Sequence, residues 1–397
     1  MFLEVLERRN PEFVKAVIEL HQKGELKPNT FVIDLDVVTE NVKIIKEKAV
    51  KYDLDIYWMT KQINRNPIIL KLLAEVNSPK LIAVDIEGAR IIADNGGVVG
   101  HIGHLCNVPK HDIPWVLDLK PEIITVYSVQ KAQDIANVAK QKGIIQDLML
   151  RVVDDDNFFY PGQTGGTHIK DLLDVAIQIQ KMDGVRLAGI TNFPAMLYDA
   201  DKKQVLPCNN MRTIFDAVKL IKEKTDINII QINTPGTTST EIIEPLAKAG
   251  ATHIEPGHGM TGTTPISVVK DLPERPAILY LTEVSHVMGN TAYIFGGGMW
   301  VDPVFPSYQM IGLVHRDPNA IFTQKVKAKF APYELIDYYG DLMPESDQDV
   351  RINDAVIFGY RPQVFVTRSY TAILTGVQTG HPKVIGTFDR TAHQISR

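Results

Sequence analysis

The chain has 397 residues, enough for two domains, and its 45% hydrophobic content is that of an ordinary globular protein. A formal charge of −5 offers no basic surface to a nucleic acid, and no apolar run is long enough to cross a membrane. The two cysteines, Cys106 and Cys208, form no CxxC pair, which argues against a disulfide scaffold and a thiolate zinc site. The first twenty residues show no signal-peptide pattern, so we expect a cytoplasmic protein.

Short apolar runs alternate with amphipathic stretches up to about residue 265, a pattern typical of βα units around a parallel sheet. The helical periodicity predicts helices over 37–51, 130–142, 168–182 and 209–224. The apolar runs predict nine strands, one more than a (β/α)8 barrel needs. They are 31–35, 55–60, 80–85, 98–102, 122–127, 147–152, 185–191, 227–232 and 252–255.

Beyond Pro273 the pattern changes to short strands separated by Gly, Pro and Asn, which predicts an antiparallel β domain over 275–397. The 31–35 strand can pair with this domain, which leaves eight strands for a TIM barrel over 36–274. The segment 1–35 would then join the β domain. The predicted strands of the β domain are 278–288, 291–296, 309–315, 324–330, 354–358 and 363–377.

Functional side chains of such barrels follow the carboxyl ends of the strands. Lys61 comes directly after the 55–60 strand, where a partly desolvated lysine can act as a nucleophile or a base. The alternative is a lysine that simply reaches solvent at the end of a strand.

Two adjacent loops suit a phosphate group. The first, NTPGTTSTE, precedes an apolar helix over 242–249, and backbone amides with hydroxyls at a helix N-terminus bind anions. The second, EPGHGMTGTTP, follows the next strand. The alternative for the first loop is an ordinary helix cap. The candidate binding residues are Asn233, Gly236, Thr237, Thr238, Ser239, Gly257 and His258.

Glu255 ends the last barrel strand, and a buried carboxylate there needs a cationic or N–H partner, such as a protonated heterocycle or Arg186. Arg151 and Asn192 also lie at strand ends, and Arg151 alternatively forms a structural ion pair. We expect no metal site at His101 and His104, nor at the acidic run 154–156, which suits a solvated loop.

Four segments resemble, in order, motifs of the alanine racemase-like, fold-type III family of pyridoxal-phosphate (PLP) enzymes, and among these the YhfX-like proteins most of all. VIDLDVVTENVKIIKEKA resembles the family's opening segment, and MTK resembles the strand that carries its cofactor lysine. VDIEGARIIADNG resembles the helix that follows, and RINDAVIFG resembles a strand of the C-terminal domain.

The resemblance implies that Lys61 binds PLP covalently and that both loops hold its phosphate. It also implies that Glu255 contacts the pyridine nitrogen, where alanine racemase has arginine and the ornithine and diaminopimelate decarboxylases have EPGR. Arg151 and Asn192 would contact the cofactor, with Asn192 where relatives place a histidine over the ring. GNTAYIFGGG resembles the segment with the second catalytic base, which makes Tyr293 of a partner subunit the candidate, with His286 in reserve. The alternative for Tyr293 is a buried core residue.

The expected function is that of a PLP-dependent amino acid racemase or epimerase, a homodimer that shares its active sites. Alternatives are a PLP-dependent decarboxylase, a metal-assisted D-amino-acid lyase or aldolase using His315 and Asp317, and a non-catalytic PLP-binding protein. Arg361, Gln363 or Arg368 would bind the carboxylate of an amino acid substrate.

Overall fold

A computed structural model describes residues 1–301, 308–317 and 324–396. The chain divides into two compact units. Unit 1 comprises Met1–Ile44, Lys61–Ile69 and His258–Arg397, and unit 2 comprises Ile45–Thr60 and Leu70–Gly257. The helices are α1 Phe2–Arg9, α2 Pro11–Gln22, α3 Leu35–Lys51, α4 Pro67–Glu75, α5 Ile86–Asp94, α6 Ile113–Asp118, α7 Val129–Gln141, α8 Leu172–Gln180, α9 Asn209–Lys224 and α10 Thr240–Ala249.

Strands fall into two large sheets and one short hairpin. They are β1 Thr30–Asp34, β2 Asp55–Ile56, β3 Trp58–Met59, β4 Lys80–Ala83, β5 Val98–Ile102, β6 Ile123–Val126, β7 Gln146–Val153, β8 Thr167–His168, β9 Val185–Thr191, β10 Met196–Asp199, β11 Gln204–Pro207, β12 Gln231–Asn233, β13 His253–Ile254, β14 Ile278–Met288, β15 Thr291–Phe295, β16 Met310–His315, β17 Lys325–Lys329, β18 Tyr339–Met343, β19 Ala355–Phe358, β20 Tyr370–Thr375, β21 Lys383–Phe388 and β22 Gln394–Ile395.

Unit 2 contains the predicted parallel barrel. Its strand order is β2-β13-β12-β9-β7-β6-β5-β4-β3, and β8 pairs with β7 alone. Strands β2 and β3 are the two halves of one strand interrupted at Tyr57, so the nine segments occupy eight barrel positions and the sheet returns on itself. The βα units follow from local sequence signals: the Asp85 side chain accepts a hydrogen bond from Gly88 N at the start of α5, and Gly250 ends α10 at φ +99°.

Unit 1 is built on a ten-stranded sheet in the order β15-β18-β17-β16-β19-β14-β1-β20-β21-β22. Strand β1 lies between β14 and β20, so the first predicted strand does leave the barrel for the β domain. Helices α1 and α2 cover this sheet with an apolar face: Leu6, Phe13 and Val17 are buried in one core with Leu281 and Ile357. No helix was predicted for this N-terminal segment, whose apolar residues pack against the sheet.

Several predicted elements have different bounds in the structure, and three of them have a local reason. Strand β12 begins at Gln231 rather than 227, because its pairing with β9 starts there. The predicted 363–377 strand is confined to β20, since Val364–Val366 forms a 3-10 turn. Helix α8 is shorter than 168–182 because its first turn is also 3-10. None of the helices in the described ranges combines the length and apolarity required to cross a lipid bilayer.

Candidate functional site

The loop between β12 and α10 holds buried hydroxyls that nothing in the described chain satisfies. Thr238 Oγ1 and Ser239 Oγ are buried without a hydrogen-bond partner, and Ser239 stands at the N-cap of α10 without capping it. Thr237 differs, because its hydroxyl donates to Met196 O at 3.2 Å. Two free hydroxyls at the positive end of a ten-residue helix suit a phosphate or another anion.

Gly236 lets the same loop approach its neighbours closely. Its φ is +133°, a conformation that side chains rarely adopt, and a Cβ there would lie 2.8 Å from Met196 O. Thr237 follows at φ +52°. The left-handed conformation of Thr237 costs free energy, and a loop that merely caps a helix does not need it. The loop geometry therefore favours binding over the capping alternative.

Glu255 is held by polar side chains inside the barrel. His101 Nδ1 lies 3.1 Å from Glu255 Oε1, and Asn233 Nδ2 donates to the same oxygen at 2.6 Å. Among the described residues no hydrogen bond reaches the other oxygen, Oε2. Burial pushes the pKa of Glu255 upward, but His104, His101 and the Asn233 bond outweigh it, so the net pKa is lowered and the carboxylate is ionised.

The alternative salt bridge between Glu255 and Arg186 is wrong. Arg186 is more than half exposed and pairs instead with Asp147 at 2.6 Å, on the adjoining strand. An ionised carboxylate with one unused oxygen is therefore available to an N–H donor.

Two groupings in unit 2 have donor atoms near enough to share a metal ion. Ring nitrogens of His101 and His104 and an oxygen of Glu255 lie within 4.8 Å of one another, all buried. Both nitrogens of His101 are already hydrogen-bonded, to Glu255 and Thr125, which favours a hydrogen-bonded arrangement. Asp154, Asp155 and His168 form the second grouping, in which Asp155 is exposed.

Arg151 lies wholly buried on β7 without an ion pair in the described chain. It donates to Tyr127 Oη at 2.7 Å and to Gln163 O at 2.8 Å, its Nε has no partner, and it packs on the Tyr127 and Phe159 rings. The ion-pair alternative is thus wrong, since the described partners of this cation are a hydroxyl, a carbonyl and two aromatic rings.

Asn192 is buried in a network of amides. Its Nδ2 donates to Asn157 Oδ1 at 2.6 Å, while its Oδ1 accepts from Phe193 N and Asn210 Nδ2. Both ends of the amide are engaged within the protein, so its role as a cofactor contact stays a prediction.

Lys61 follows β3 by two residues and begins a segment of unit 1 with a strained backbone. Lys61–Ile63 forms a 3-10 turn, and Asn64 and Arg65 both have positive φ, +59° and +47°. For arginine this conformation costs about 1–3 kcal/mol, and such strain concentrates at functional sites. Asn64 and Asn66 are completely buried, which is unusual for asparagine in a turn.

Cationic side chains of unit 1 surround Phe365 and His258. The Lys61 ammonium and the Arg65 guanidinium each lie 5.2 Å from the Phe365 ring. Burial lowers the pKa of His258 well below its ordinary range, and the charges of Arg361 and Lys61 lower it further. The neutral ring then donates Nε2–H to Pro362 O at 2.8 Å, so this nitrogen already has a hydrogen-bond partner within the protein. Gly257 is buried in unit 2.

Tyr293 lies on the outer face of its strand. Its neighbours Ala292 and Ile294 are buried, whereas Tyr293 is half-buried and stacks on His286 with ring centres 4.6 Å apart. The core-tyrosine alternative is therefore wrong. Tyr339, an exposed residue of β18, contacts the His286 ring edge-on.

Sequence reasoning missed Thr125 and the role of His101. Each is a single polar residue inside an apolar strand, and only the closed barrel brings them to Glu255. Of the proposed substrate-carboxylate ligands, Arg368 is a partner of Asp337 at 2.8 Å, and Gln363 has a buried Oε1 without a partner.

Comparison with known proteins relates both parts of the sequence to described families. The family "Alanine racemase, N-terminal domain" matches residues 33–265, and "YhfX-like, C-terminal domain" matches residues 279–384. "Uncharacterized protein YhfX" of Escherichia coli (strain K12) is 35% identical over 395 residues, covering 100% of both chains.

Solved structures share the fold at low sequence identity. Alanine racemase of Clostridium difficile 630, in complex with cycloserine, has a TM-score of 0.62 at 15% identity and covers 91% of this chain and 98% of its own. D-Threonine aldolase from Filomicrobium marinum has a TM-score of 0.65 at 13% identity, with 93% and 96% covered. D-threo-3-Hydroxyaspartate dehydratase from Delftia sp. HT23 has a TM-score of 0.65 at 14% identity, with 90% and 97% covered.

Proposed function

Because this chain belongs to the alanine racemase-like, fold-type III family, in its YhfX-like branch, we propose that it is a PLP-dependent amino acid racemase or epimerase. The observation that carries the proposal is the pair of buried, unsatisfied hydroxyls of Thr238 and Ser239 at the start of α10. Fold relatives include a racemase, an aldolase and a dehydratase, so the type of reaction depends on this chain's own residues.

The residues fit PLP at its two polar ends. At the phosphate end lie the hydroxyls of Thr238 and Ser239, on the same loop as Gly236 and Thr237, where the backbone packs closely against its neighbours. At the ring end, Oε2 of ionised Glu255 can accept a hydrogen bond from a protonated pyridine nitrogen. Bound PLP supplies an electron sink for the electron pair released at Cα of an amino acid.

Lys61 would bind the cofactor covalently and exchange the Cα proton on one face of the substrate. Its place immediately after a barrel strand and beside a strained turn supports this role. The predicted contacts of Arg151, Asn192, Asn233, Gly257 and His258 with the cofactor belong to the same proposal.

Tyr293 of the partner subunit would exchange the proton on the opposite face. A tyrosine on the outer face of a sheet can reach a neighbouring molecule, which a core residue cannot. On β18, the strand that pairs with the strand of Tyr293, and on the segment before it lie exposed apolar residues that a dimer would cover. They are Tyr333, Leu335, Ile336, Tyr338 and Tyr339.

Cofactor attachment is tested by incubating the protein with PLP, reducing it with borohydride and mapping the labelled peptide. The pyridoxyl group is expected on Lys61, and Lys61→Ala should lose the visible absorbance. Lys61→Arg is the matched control for charge, because it keeps the cation but cannot form the bond. A label on another lysine would contradict the proposal.

The reaction is tested by incubating the loaded enzyme with a panel of amino acids in deuterium oxide. Racemisation predicts loss of optical activity with deuterium at Cα, without loss of carbon dioxide. Mixed dimers of Lys61→Ala and Tyr293→Phe subunits should regain activity, because one of their two sites has neither defect. If heterodimers form and stay inactive, the shared site is wrong.

Decarboxylation is the second candidate, favoured by one observation. Glu255 is an ionised carboxylate, which keeps a pyridine nitrogen protonated and strengthens the electron sink beyond what an arginine provides. Release of carbon dioxide from the same amino acid panel, with a single proton added to Cα, would replace racemisation as the reaction.

A further inference from the structure

A series of hydrogen bonds crosses the inside of the barrel and ends on Glu255. His101 lies on β5 and Thr125 on the neighbouring β6, and both are completely buried. Thr125 Oγ1 is 2.6 Å from His101 Nε2, and His101 Nδ1 is 3.1 Å from Glu255 Oε1. Strand β5 is not adjacent to β13, which precedes Glu255, so this bond links separate parts of the barrel wall.

The partners determine where the protons of the imidazole lie. An ionised carboxylate only accepts hydrogen bonds, so the proton faces Glu255 from Nδ1. In the neutral ring Nε2 is then an acceptor, and the Thr125 hydroxyl donates to it. The tautomer of His101 is thus set by Glu255, and the Thr125 hydroxyl holds the ring in place by donating to Nε2, much as the second nitrogen of other functional histidines is held by a neighbour.

The hydrogen bonds to Glu255 also determine which oxygen is available. His101 and Asn233 both bond Oε1, at 3.1 and 2.6 Å, and they approach from different strands. Rotation of the carboxylate would break both bonds at once. Oε2 is therefore held in one orientation, as the oxygen of a buried anion to which no group of the described residues donates.

We propose that His101 is a positioning residue, oriented by Thr125, whose bond from Nδ1 to Glu255 Oε1 presents Oε2 to the pyridine nitrogen of the cofactor. This inference rests on the proposed function, since it assumes that PLP binds. It goes further, because it assigns the protonation of the cofactor ring to two residues that do not touch the cofactor.

Without His101, Glu255 keeps the Asn233 bond and the influence of His104, but it loses the His101 bond that helps to offset its burial. Burial then favours the protonated carboxylic acid, and an acid no longer holds a proton on a neighbouring nitrogen. Because a hydrogen bond to a charged group contributes strongly to its stabilisation, loss of this bond in His101→Phe should slow Cα proton exchange about 10- to 100-fold. Thr125→Val, which removes only a neutral bond, should slow it about 2- to 10-fold.

The test compares Thr125→Val with Thr125→Ser in full-length protein loaded with PLP labelled with 15N in the ring. Valine keeps the shape of threonine without the hydroxyl, whereas serine keeps the hydroxyl. The 15N resonance reports protonation of the pyridine nitrogen independently of turnover. We expect the protonated form in the wild type and Thr125→Ser, a smaller fraction in Thr125→Val, and the smallest in His101→Phe and Glu255→Gln. PLP affinity should change little, because other residues hold the phosphate.

Histidine ring 15N spectra of the same proteins give a second readout that needs no cofactor. They should show Nδ1–H for His101 in the wild type and in Thr125→Ser, and in Thr125→Val a shifted Nε2 resonance, because the hydroxyl that donates to Nε2 is gone. If PLP stays fully protonated in Thr125→Val and His101→Phe, the positioning role is wrong although the proposed function stands. If the wild type binds no PLP, the proposed function fails and this inference with it. Stoichiometric divalent metal lost in Thr125→Val or His101→Phe would also overturn the inference, in favour of a metal site.

Discussion

Removing the two unsatisfied hydroxyls should stabilise the protein without cofactor and weaken its hold on the cofactor. Thr238→Val and Ser239→Ala delete Oγ atoms that are buried and have no partner in the described chain. A buried hydroxyl without a hydrogen bond lowers the free energy of unfolding by about 1–3 kcal/mol when no ligand is bound. The double variant should therefore unfold at higher urea or temperature than the wild type.

The same atoms should contribute to affinity in the opposite direction. A hydrogen bond to a charged phosphate is worth about 1.5–3 kcal/mol, so loss of one hydroxyl should weaken PLP binding about 10- to 150-fold. The assay is a urea titration with and without saturating PLP, together with a binding titration followed by absorbance. The gain in stability should disappear when the cofactor is present, because the wild-type hydroxyls are then satisfied.

Thr237→Val is the matched control within the same loop. Its hydroxyl donates to Met196 O, so its removal leaves that carbonyl one bond short and should destabilise the protein with or without PLP. Equal losses of stability for all three variants would refute the reasoning, since the hydroxyls of Thr238 and Ser239 would then be satisfied in solution. Unchanged PLP affinity would remove them from the phosphate site.

Three further changes have expected outcomes. Gly236→Ala should weaken PLP binding and lower the melting temperature, because its Cβ would meet Met196 O at 2.8 Å; unchanged affinity would show that the loop tolerates a side chain. Burial lowers the pKa of His253 to about 4, so folding favours the neutral ring: the resulting stability is complete above pH 6.5 and is lost as the pH falls towards 4, by about 3 kcal/mol. His253→Gln should flatten this pH dependence of urea unfolding. A pH profile identical to that of the wild type would show that His253 is not the group responsible. Glu255→Gln should slow Cα deuterium exchange by about 10- to 100-fold with PLP affinity nearly unchanged, and exchange at the wild-type rate would exclude its role at the ring nitrogen.

The regular periodicity of the βα units was sufficient to predict the barrel and the separate β domain. The excess ninth strand was correctly explained, since β1 pairs with β14 and β20. Prediction failed where tertiary pairing decides the outcome. The start of β12 depends on its register with β9, and α1 and α2 depend on a sheet formed by residues some 250 positions later.

Side-chain partners were the least predictable feature of the site. Glu255 was correctly expected to need a donor, but Arg186 was the wrong one, because along a strand neighbouring side chains alternate between faces and Arg186 points to the outside. The actual donors, His101 and Asn233, are 154 and 22 residues away in sequence. Such pairs follow from closure of the barrel, which sequence periodicity does not specify residue by residue.

The distribution of unsatisfied polar atoms gives an argument for a binding function that is independent of family membership. Folded proteins satisfy nearly all their buried polar groups, so each exception needs a reason. In the described chain, several exceptions fall in segments that follow barrel strands, at the end where such barrels bind ligands. Within unit 2 they include Thr60 after β3, and Asn233 Oδ1, Thr238 and Ser239 after β12. A barrel that served only as a scaffold would gain stability by replacing these groups with apolar ones. Their burial without partners is the expected cost of a site that is completed by a polar ligand, and the gain in stability predicted for Thr238→Val and Ser239→Ala measures that cost directly.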